Sequence, residues 1–343
     1  MRGVVCPGDR QCRLIDLDDP SPSVGEVVVA MRAAAICGSD LHVYRAPAAQ
    51  RHAAALVVAG HEPAGVVVAV GPEVHRVRVG DRVSVYHYRG CGHCRQCTAG
   101  RLMWCAERRG YGWHVHGSDA DLLLTDERNC LPLPDACSFA VGALIACNTG
   151  TAFAALEKLG PSGRDTLVVF GLGPVGLNGV LIAKALGARV LGVDVSAPRR
   201  RLAGDLGADA VFDPTAGDHG AEIRRQTGGE GADPAFETSG RPAAQAQVPA
   251  VLRYGGRGIF VGMGSTTPSI APVDVIGKQL TLGGSFVAPL SLYWDIIRFI
   301  QTHRLPLERM ITHRLPLQDA PEAFRVADSA TAGKVLFVWE HET

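Results

Sequence analysis

The chain has 343 residues with 34 basic and 34 acidic side chains, so no net charge steers it toward nucleic acid or an anionic membrane. That length exceeds what one hydrophobic core usually serves, and two domains are expected. Residues 1–6 lack the apolar core of a secretory signal, and the most apolar stretch, 177–195, is broken by Lys184 and Arg189, which reads as a cytoplasmic protein without a membrane partner.

Short β segments come first. Residues 26–31, 65–71 and 82–85 are valine-rich runs bounded by Gly, Pro or Asp, which predicts a partly open barrel. From about Asp165 the rhythm changes to strands at 166–170, 189–193 and 258–261 with a helix at 177–186. That alternation predicts βαβ units and a doubly wound parallel sheet, an α/β fold. After about Phe286 it ends. Amphipathic segments at 294–302 and 320–328 and a last strand at 334–339 are expected to return to the first domain.

The ten cysteines are not scattered at random. Cys91, Cys94, Cys97 and Cys105 form a Cys-x2-Cys-x2-Cys-x7-Cys run, the closed four-thiolate shell of a structural zinc in a lobe at 91–105. Clustered spacing favours metal ligation in a reducing compartment over disulfides. Gly92, His93 and Gly100 suit a tight loop, with His93 facing solvent because four sulfurs complete the shell. A zinc-ribbon nucleic-acid module would want two knuckles and a basic face, and the chain is neutral. Cys6, Cys12, Cys130 and Cys137 lack such spacing and read as buried or idle thiols.

A second constellation lies upstream. Cys37 offers a thiolate, His61 an imidazole and Glu62 a carboxylate, and all three suit zinc if the fold brings them together. Such a site keeps a coordination position open, where a metal acts as a Lewis acid on a substrate oxygen. Downstream, Gly171-Leu172-Gly173-Pro174-Val175-Gly176 follows a strand and opens a helix, the context of a dinucleotide fingerprint. Its glycines permit a sharp turn and bring backbone amides close to a pyrophosphate at the helix N-terminus. Asp194 closes the next strand where a carboxylate grips ribose hydroxyls and repels a 2′-phosphate. NAD is therefore favoured, while Arg199 and Arg200 keep NADP open.

Gly60-His61-Glu62-Pro63-Ala64-Gly65, with Cys37-Gly38-Ser39-Asp40-Leu41-His42 before it and Gly80-Asp81-Arg82-Val83 after it, resembles the zinc signature of the medium-chain alcohol dehydrogenase family. The resemblance continues through the cysteine lobe, the glycine loop and Gly333-Lys334-Val335, so it covers nearly the whole chain. It implies a GroES-like β-barrel-type catalytic domain in 1–148 and 288–343, carrying the lobe, and a Rossmann NAD-binding domain in 149–287. It implies Cys37 and His61 as ligands of a catalytic zinc and Cys147 at the third ligand position, with Glu62 as an adjacent or exchanging ligand. Whether Cys147 or Glu62 completes the shell stays open, and a buried thiol is the competing reading of Cys147. Sugar-alcohol members usually place a glutamate at that third position, so Cys147 departs from them. Ser39 and His42 match the family's proton relay of hydroxyl, cofactor ribose and imidazole, which suits a histidine that titrates near neutrality. Gly171, Gly173, Val175, Gly176, Asp194 and Arg199 match its cofactor contacts. The resemblance further implies a catalytic and a structural zinc in each subunit, and a homodimer or homotetramer.

The run from Cys37 to Tyr44 and the Gly283-Gly284-Ser285-Phe286 segment resemble the sorbitol, idonate and threonine dehydrogenase branch. Val287 stands where several of those enzymes carry a substrate-binding arginine, which argues against an acidic sugar. Tyr44, Trp104, Trp113, Phe286 and Trp294 are available as pocket walls, with His87 or His114 as polar contacts, and Tyr44 is the one selected. The expected activity is oxidation of a secondary alcohol or polyol to a ketone. The alternatives are a primary or aromatic alcohol and, from another class, a non-catalytic nucleotide-binding relative. A zinc-free quinone reductase of the same superfamily is disfavoured by the cysteine lobe and the Gly-His-Glu motif.

Overall fold

In the computed structural model, which describes residues 1–50, 57–264, 266–267 and 269–339, the chain divides into two units. The first comprises Met1–Gly150, Pro289–Trp294 and the chain from Ile311 onward; the second comprises Thr151–Ala288 and Asp295–Met310.

The first unit is organised by strand Glu26–Ala35, whose valines bury on alternate faces. One side of this strand pairs antiparallel with Pro63–Val70. Its other side pairs first with Leu122–Asp126 and then, beyond Met31, with Lys334–Val338. Changing partners along one edge splays the sheet into a partly open barrel, and two register shifts in the pairing with Pro63–Val70 add the bend. Arg82–Val85 and Cys130–Pro132 extend the sheet on one side and Ile311–Leu315 on the other. Val27, Val29 and Met31 pack with Val67, Val83, Val85 and Leu123 in one core. Leu41, Tyr44, Phe324 and Phe337 belong to another. Each such fully buried side chain contributes about 1.5–3 kcal/mol.

The second unit holds a six-stranded parallel sheet in the order Ala210–Phe212, Arg189–Val193, Thr166–Phe170, Ala235–Glu237, Arg257–Phe260 and Thr281–Gly284. The order reverses between Thr166–Phe170 and Ala235–Glu237, the switch point of a doubly wound sheet. Leu167, Val168, Val169 and Phe170 are all buried, as expected of a central parallel strand covered on both faces. Helix Pro174–Ala185 begins three residues before the predicted 177, because Pro174 fits its first turn behind the Gly173 N-cap.

One expectation is corrected. Most of helix Tyr293–His303 groups with the second unit, where Ile296, Ile297 and Ile300 are buried and Phe299 meets Phe153 edge-on at 5.4 Å. Its amphipathic pattern announced a buried face without naming the core that buries it. The helical run Phe139–Leu159 is also long and apolar enough to cross a membrane by length and composition, yet 83% of its apolar window is buried inside the fold, as in a core helix.

Candidate metal centres and cofactor cradle

Among the described residues, donor atoms gather around two centres in the first unit, the second of which also has His93 and Glu107 near Cys91. In the first, Cys37, His61, Glu62 and Cys147 each offer an atom within 4.8 Å of the others. Cys37 is the N-cap of helix Gly38–Arg45, and its backbone N–H donates to Asp40 Oδ2 at 2.8 Å. The other oxygen of Asp40 lies 2.9 Å from His61 Nδ1. A single buried carboxylate thereby starts the helix and fixes the imidazole, turning Nε2 toward the sulfurs. Cys147 arrives on a π-helical turn, Ile145–Thr149, a distortion common at functional sites.

The spacing fits zinc. Cys37 Sγ and Cys147 Sγ are 3.9 Å apart, and Cys147 Sγ lies 3.5 Å from His61 Nε2. A tetrahedral ion with Zn–S of about 2.3 Å and Zn–N of about 2.0–2.1 Å has sulfur–sulfur and sulfur–nitrogen edges of about 3.8 and 3.6 Å. Glu62 is fully buried; Asn148 Nδ2 donates to its Oε2 at 2.8 Å, Lys334 Nζ lies 2.6 Å from the same oxygen, and Oε1 has no partner.

The hydrogen bond between the two sulfurs pulls Cys37 well below the ordinary thiol range and holds Cys147, which is also buried, well above it. Burial opposes a charge on His61, but Asp40 and Cys37 raise it well above its usual value. Burial pushes Glu62 up to about 8 against the pull of Lys334. Trp113 covers the imidazole of His61 at 4.4 Å between ring centroids, and His87 stands 5.6 Å from it. Burial, reinforced by His61, lowers His87 to about 3, so it is neutral. Its Nδ1 donates to Ala146 O at 2.9 Å, which leaves Nε2 as an acceptor. Ser39 Oγ sits 3.4 Å from His61 Nε2, while His42, on the same helix, is exposed.

Tyr44 is placed elsewhere: it is buried against Phe324 at 5.3 Å, a core residue and not a wall of this cluster. Reading residues one at a time missed the part played by Asp40, although its position three after Cys37 is capping-box spacing.

The second cluster joins the sulfurs of Cys91, Cys94, Cys97 and Cys105 within 4.8 Å, with Cys91 and Cys97 at 3.9 Å, again the edge of a zinc tetrahedron. A backbone N–H from Cys97 helps lower Cys94 to about 7, so a thiolate forms there readily. His93 is exposed, with Nδ1 3.2 Å from the Cys91 carbonyl.

The second unit carries the cofactor cradle. Gly171 has φ +86°, and a Cβ on Gly176 would meet Gly171 O at 1.9 Å, so this turn accepts only glycine at both positions. Asp194 receives the Leu172 N–H and the Ser196 N–H, each at 2.7 Å, which fixes the carboxylate beside the loop. Val175 sits in the first helical turn, and the Arg199 guanidinium lies 3.8 Å from where a Cβ on Gly173 would be. Arg200 is committed to Asp213 at 2.9 Å and to the Asp194 carbonyl at 2.6 Å.

Residues 23–135 match the model of the alcohol dehydrogenase GroES-like domain, and residues 174–302 that of the zinc-binding dehydrogenase. The zinc-type alcohol dehydrogenase-like protein YphC of Escherichia coli (strain K12) is 33% identical over 98% of both chains. This chain belongs to the zinc-dependent medium-chain alcohol dehydrogenase family. An L-threonine 3-dehydrogenase of Deinococcus deserti is 33% identical over 95% of each chain. Among solved structures, an NAD-dependent alcohol dehydrogenase superposes with a TM-score of 0.88 at 32% identity, covering 99% of this chain and 100% of that one. The GroES-like and Rossmann architecture of the family is the one described above.

Proposed function

We propose that this family member transfers hydride between an alcohol and NAD, with a secondary alcohol or polyol as substrate and a ketone as product. The observation that carries the reading is the buried mixed donor set: Cys37, His61 and Cys147 at tetrahedral zinc spacings, with Glu62 alongside. Zinc, when bound, supplies Lewis acidity toward the alcohol oxygen, and NAD supplies the hydride acceptor. In this reading Cys37, His61 and Cys147 hold the ion. Glu62 stays in reserve, because one of its oxygens is engaged by Lys334 and Asn148.

Asp40 accepts from Nδ1 of His61 and so assigns Nε2 as the nitrogen that would ligate once its proton has left. In the relay, Ser39 Oγ would accept the hydroxyl proton on the buried side as it passes its own to the cofactor ribose, and the exposed His42 would hand that proton to water. Trp113 excludes water from the donor face. The Nε2 of His87 offers a fixed acceptor for a further hydroxyl, which favours a substrate with more than one polar group. In the second unit, Gly171, Gly173, Val175 and Gly176 cradle the pyrophosphate, and Asp194, with Arg199 beside it, takes the adenosine ribose. A fixed carboxylate and a committed Arg200 support NAD over NADP. The four-cysteine lobe holds a structural zinc and performs no chemistry.

The reading extends to a cytoplasmic homo-oligomer acting on small molecules. Among the described residues, strand Thr281–Gly284 is an edge of the parallel sheet, and Val273 and Ile276 are exposed on neighbouring helix Pro272–Lys278, features that a second copy continuing the sheet across a two-fold axis would cover.

The test is tightly bound zinc per chain, measured with NAD-dependent oxidation of polyols, secondary alcohols and primary alcohols. About two zinc ions per chain with NADH formation on secondary alcohols is the expected result. A chain that binds NAD and one zinc but oxidises nothing in the panel sinks the catalytic reading.

A further inference from the structure

The cysteine lobe has a cation poised outside its sulfur shell. Arg128 grips Asp126 with two parallel contacts, Nε to Oδ1 at 2.8 Å and Nη2 to Oδ2 at 2.5 Å, and its backbone N–H adds a third at 2.9 Å. This fork fixes the plane of the guanidinium and leaves Nη1 to point elsewhere. It points into the lobe. A Cβ on Gly92 would fall 1.4 Å from Arg128 Nη1, so the nitrogen occupies the space any side chain at Gly92 would need. Gly92 has φ +89° in the turn between Cys91 and Cys94, and its N–H donates to Cys97. Of the arginines near the lobe, Arg89 pairs with Glu26 at 2.8 Å, and Arg101 lies over the Trp104 ring at 5.5 Å.

Four thiolates around a dication leave two excess negative charges. A guanidinium suits that excess because it is weakly hydrated and geometrically rigid. Arg128 is held in its charged form first by Asp126, with Cys97 and Cys91 adding to the effect.

We propose that Arg128, aimed by Asp126, is a positioning residue of the structural zinc lobe: its guanidinium offsets thiolate charge and clamps the Gly92 turn from which Cys97 is hydrogen-bonded. The inference rests on the lobe's being a zinc site. Outer partners of this kind typically change metal affinity by about 10–100-fold.

The test follows zinc transfer from the purified holoenzyme to a chromogenic chelator, with activity recorded in the same run. The phase that tracks activity is the catalytic ion, and the other is the lobe. In Arg128→Met, lobe release accelerates by about 10–100-fold, Arg128→Lys falls between, and the activity-linked phase is unchanged. With cobalt in the lobe, the sulfur-to-cobalt charge-transfer band shifts in Arg128→Met and partly returns in Arg128→Lys. If Arg128→Met does not fold, the lysine variant against wild type carries both readouts. A lowered melting temperature with unchanged release and an unmoved band would overturn the proposal and leave Arg128 a packing residue. A wild-type enzyme with no zinc in the lobe overturns the lobe reading itself, a result distinct from the first.

Discussion

Lys334 Nζ stands 2.6 Å from Glu62 Oε2, and neither side chain reaches solvent. Breaking such a pair from one side leaves a charge stranded in the interior, which costs about 3–5 kcal/mol. Lys334→Met is therefore expected to lower unfolding free energy by that order above about pH 8, where Glu62 carries its charge, read from denaturant midpoints. Adding Glu62→Gln should recover much of the loss, because no ion is then left unpaired. Additive losses in the double variant would show that the two groups do not act as a pair.

Cys37→Ala and His61→Ala each remove one donor from the catalytic cluster. Turnover is expected to vanish in both while NAD binding, followed by fluorescence, persists, since the cradle residues belong to the second unit. Retained turnover in either variant would refute ligation by that residue.

Zinc uptake should release protons. Without metal, Cys147 keeps its proton and His61 is held in its charged form, whereas both ligate only when deprotonated. About two protons per catalytic ion are expected to appear when zinc is added to the stripped enzyme in weak buffer, as seen with an indicator dye. Affinity therefore rises with pH, and acid strips the ion. Zinc uptake without proton release would show that Cys147 and His61 are not the ligands.

The sequence carried the lobe, the glycine loop and the strand-helix rhythm because each is local: spacing or periodicity within a few residues determines it. Cys37, His61 and Glu62 are donor types that the residues themselves suggest, but Cys147 joins them only through family resemblance, since three distant segments meet there. Two features lay beyond local reading. The π-helical turn that presents Cys147 arises within an apolar helical run whose flanking glycines, Gly142 and Gly150, do not mark where the turn widens. The placement of Tyr293–His303 depends on which core its isoleucines meet, and periodicity does not encode that. Tyr44 was misread for the opposite reason: it follows the zinc motif closely, but the helix turns it into the core.

Asp40→Asn keeps the shape of the residue that orients His61 but removes its charge. An amide still caps the helix with its oxygen, so folding should be little affected. The imidazole loses a charged acceptor, and catalytic zinc affinity is expected to fall by about 10–100-fold. Competition with a chelator measures the change, and the lobe ion serves as an internal control. Equal loss from both sites would point to general destabilisation.

Asp194→Ala removes the carboxylate assigned to the adenosine ribose. A hydrogen bond to a charged group contributes about 1.5–3 kcal/mol, so NAD affinity should fall on the order of 10–100-fold. NADP should gain, because the repulsion of its phosphate is gone. The gain is expected to be smaller than the NAD loss, since Arg200 remains tied to Asp213 and Arg199, beside Gly173, is the one other arginine named near the loop. Asp194 also anchors the Leu172 and Ser196 amides, so the variant loosens the loop as well. Titrating both cofactors separates the two effects. A loosened loop weakens NAD and NADP alike, whereas loss of ribose recognition changes their ratio. An unchanged ratio would assign Asp194 to shaping the loop and leave cofactor choice to other residues.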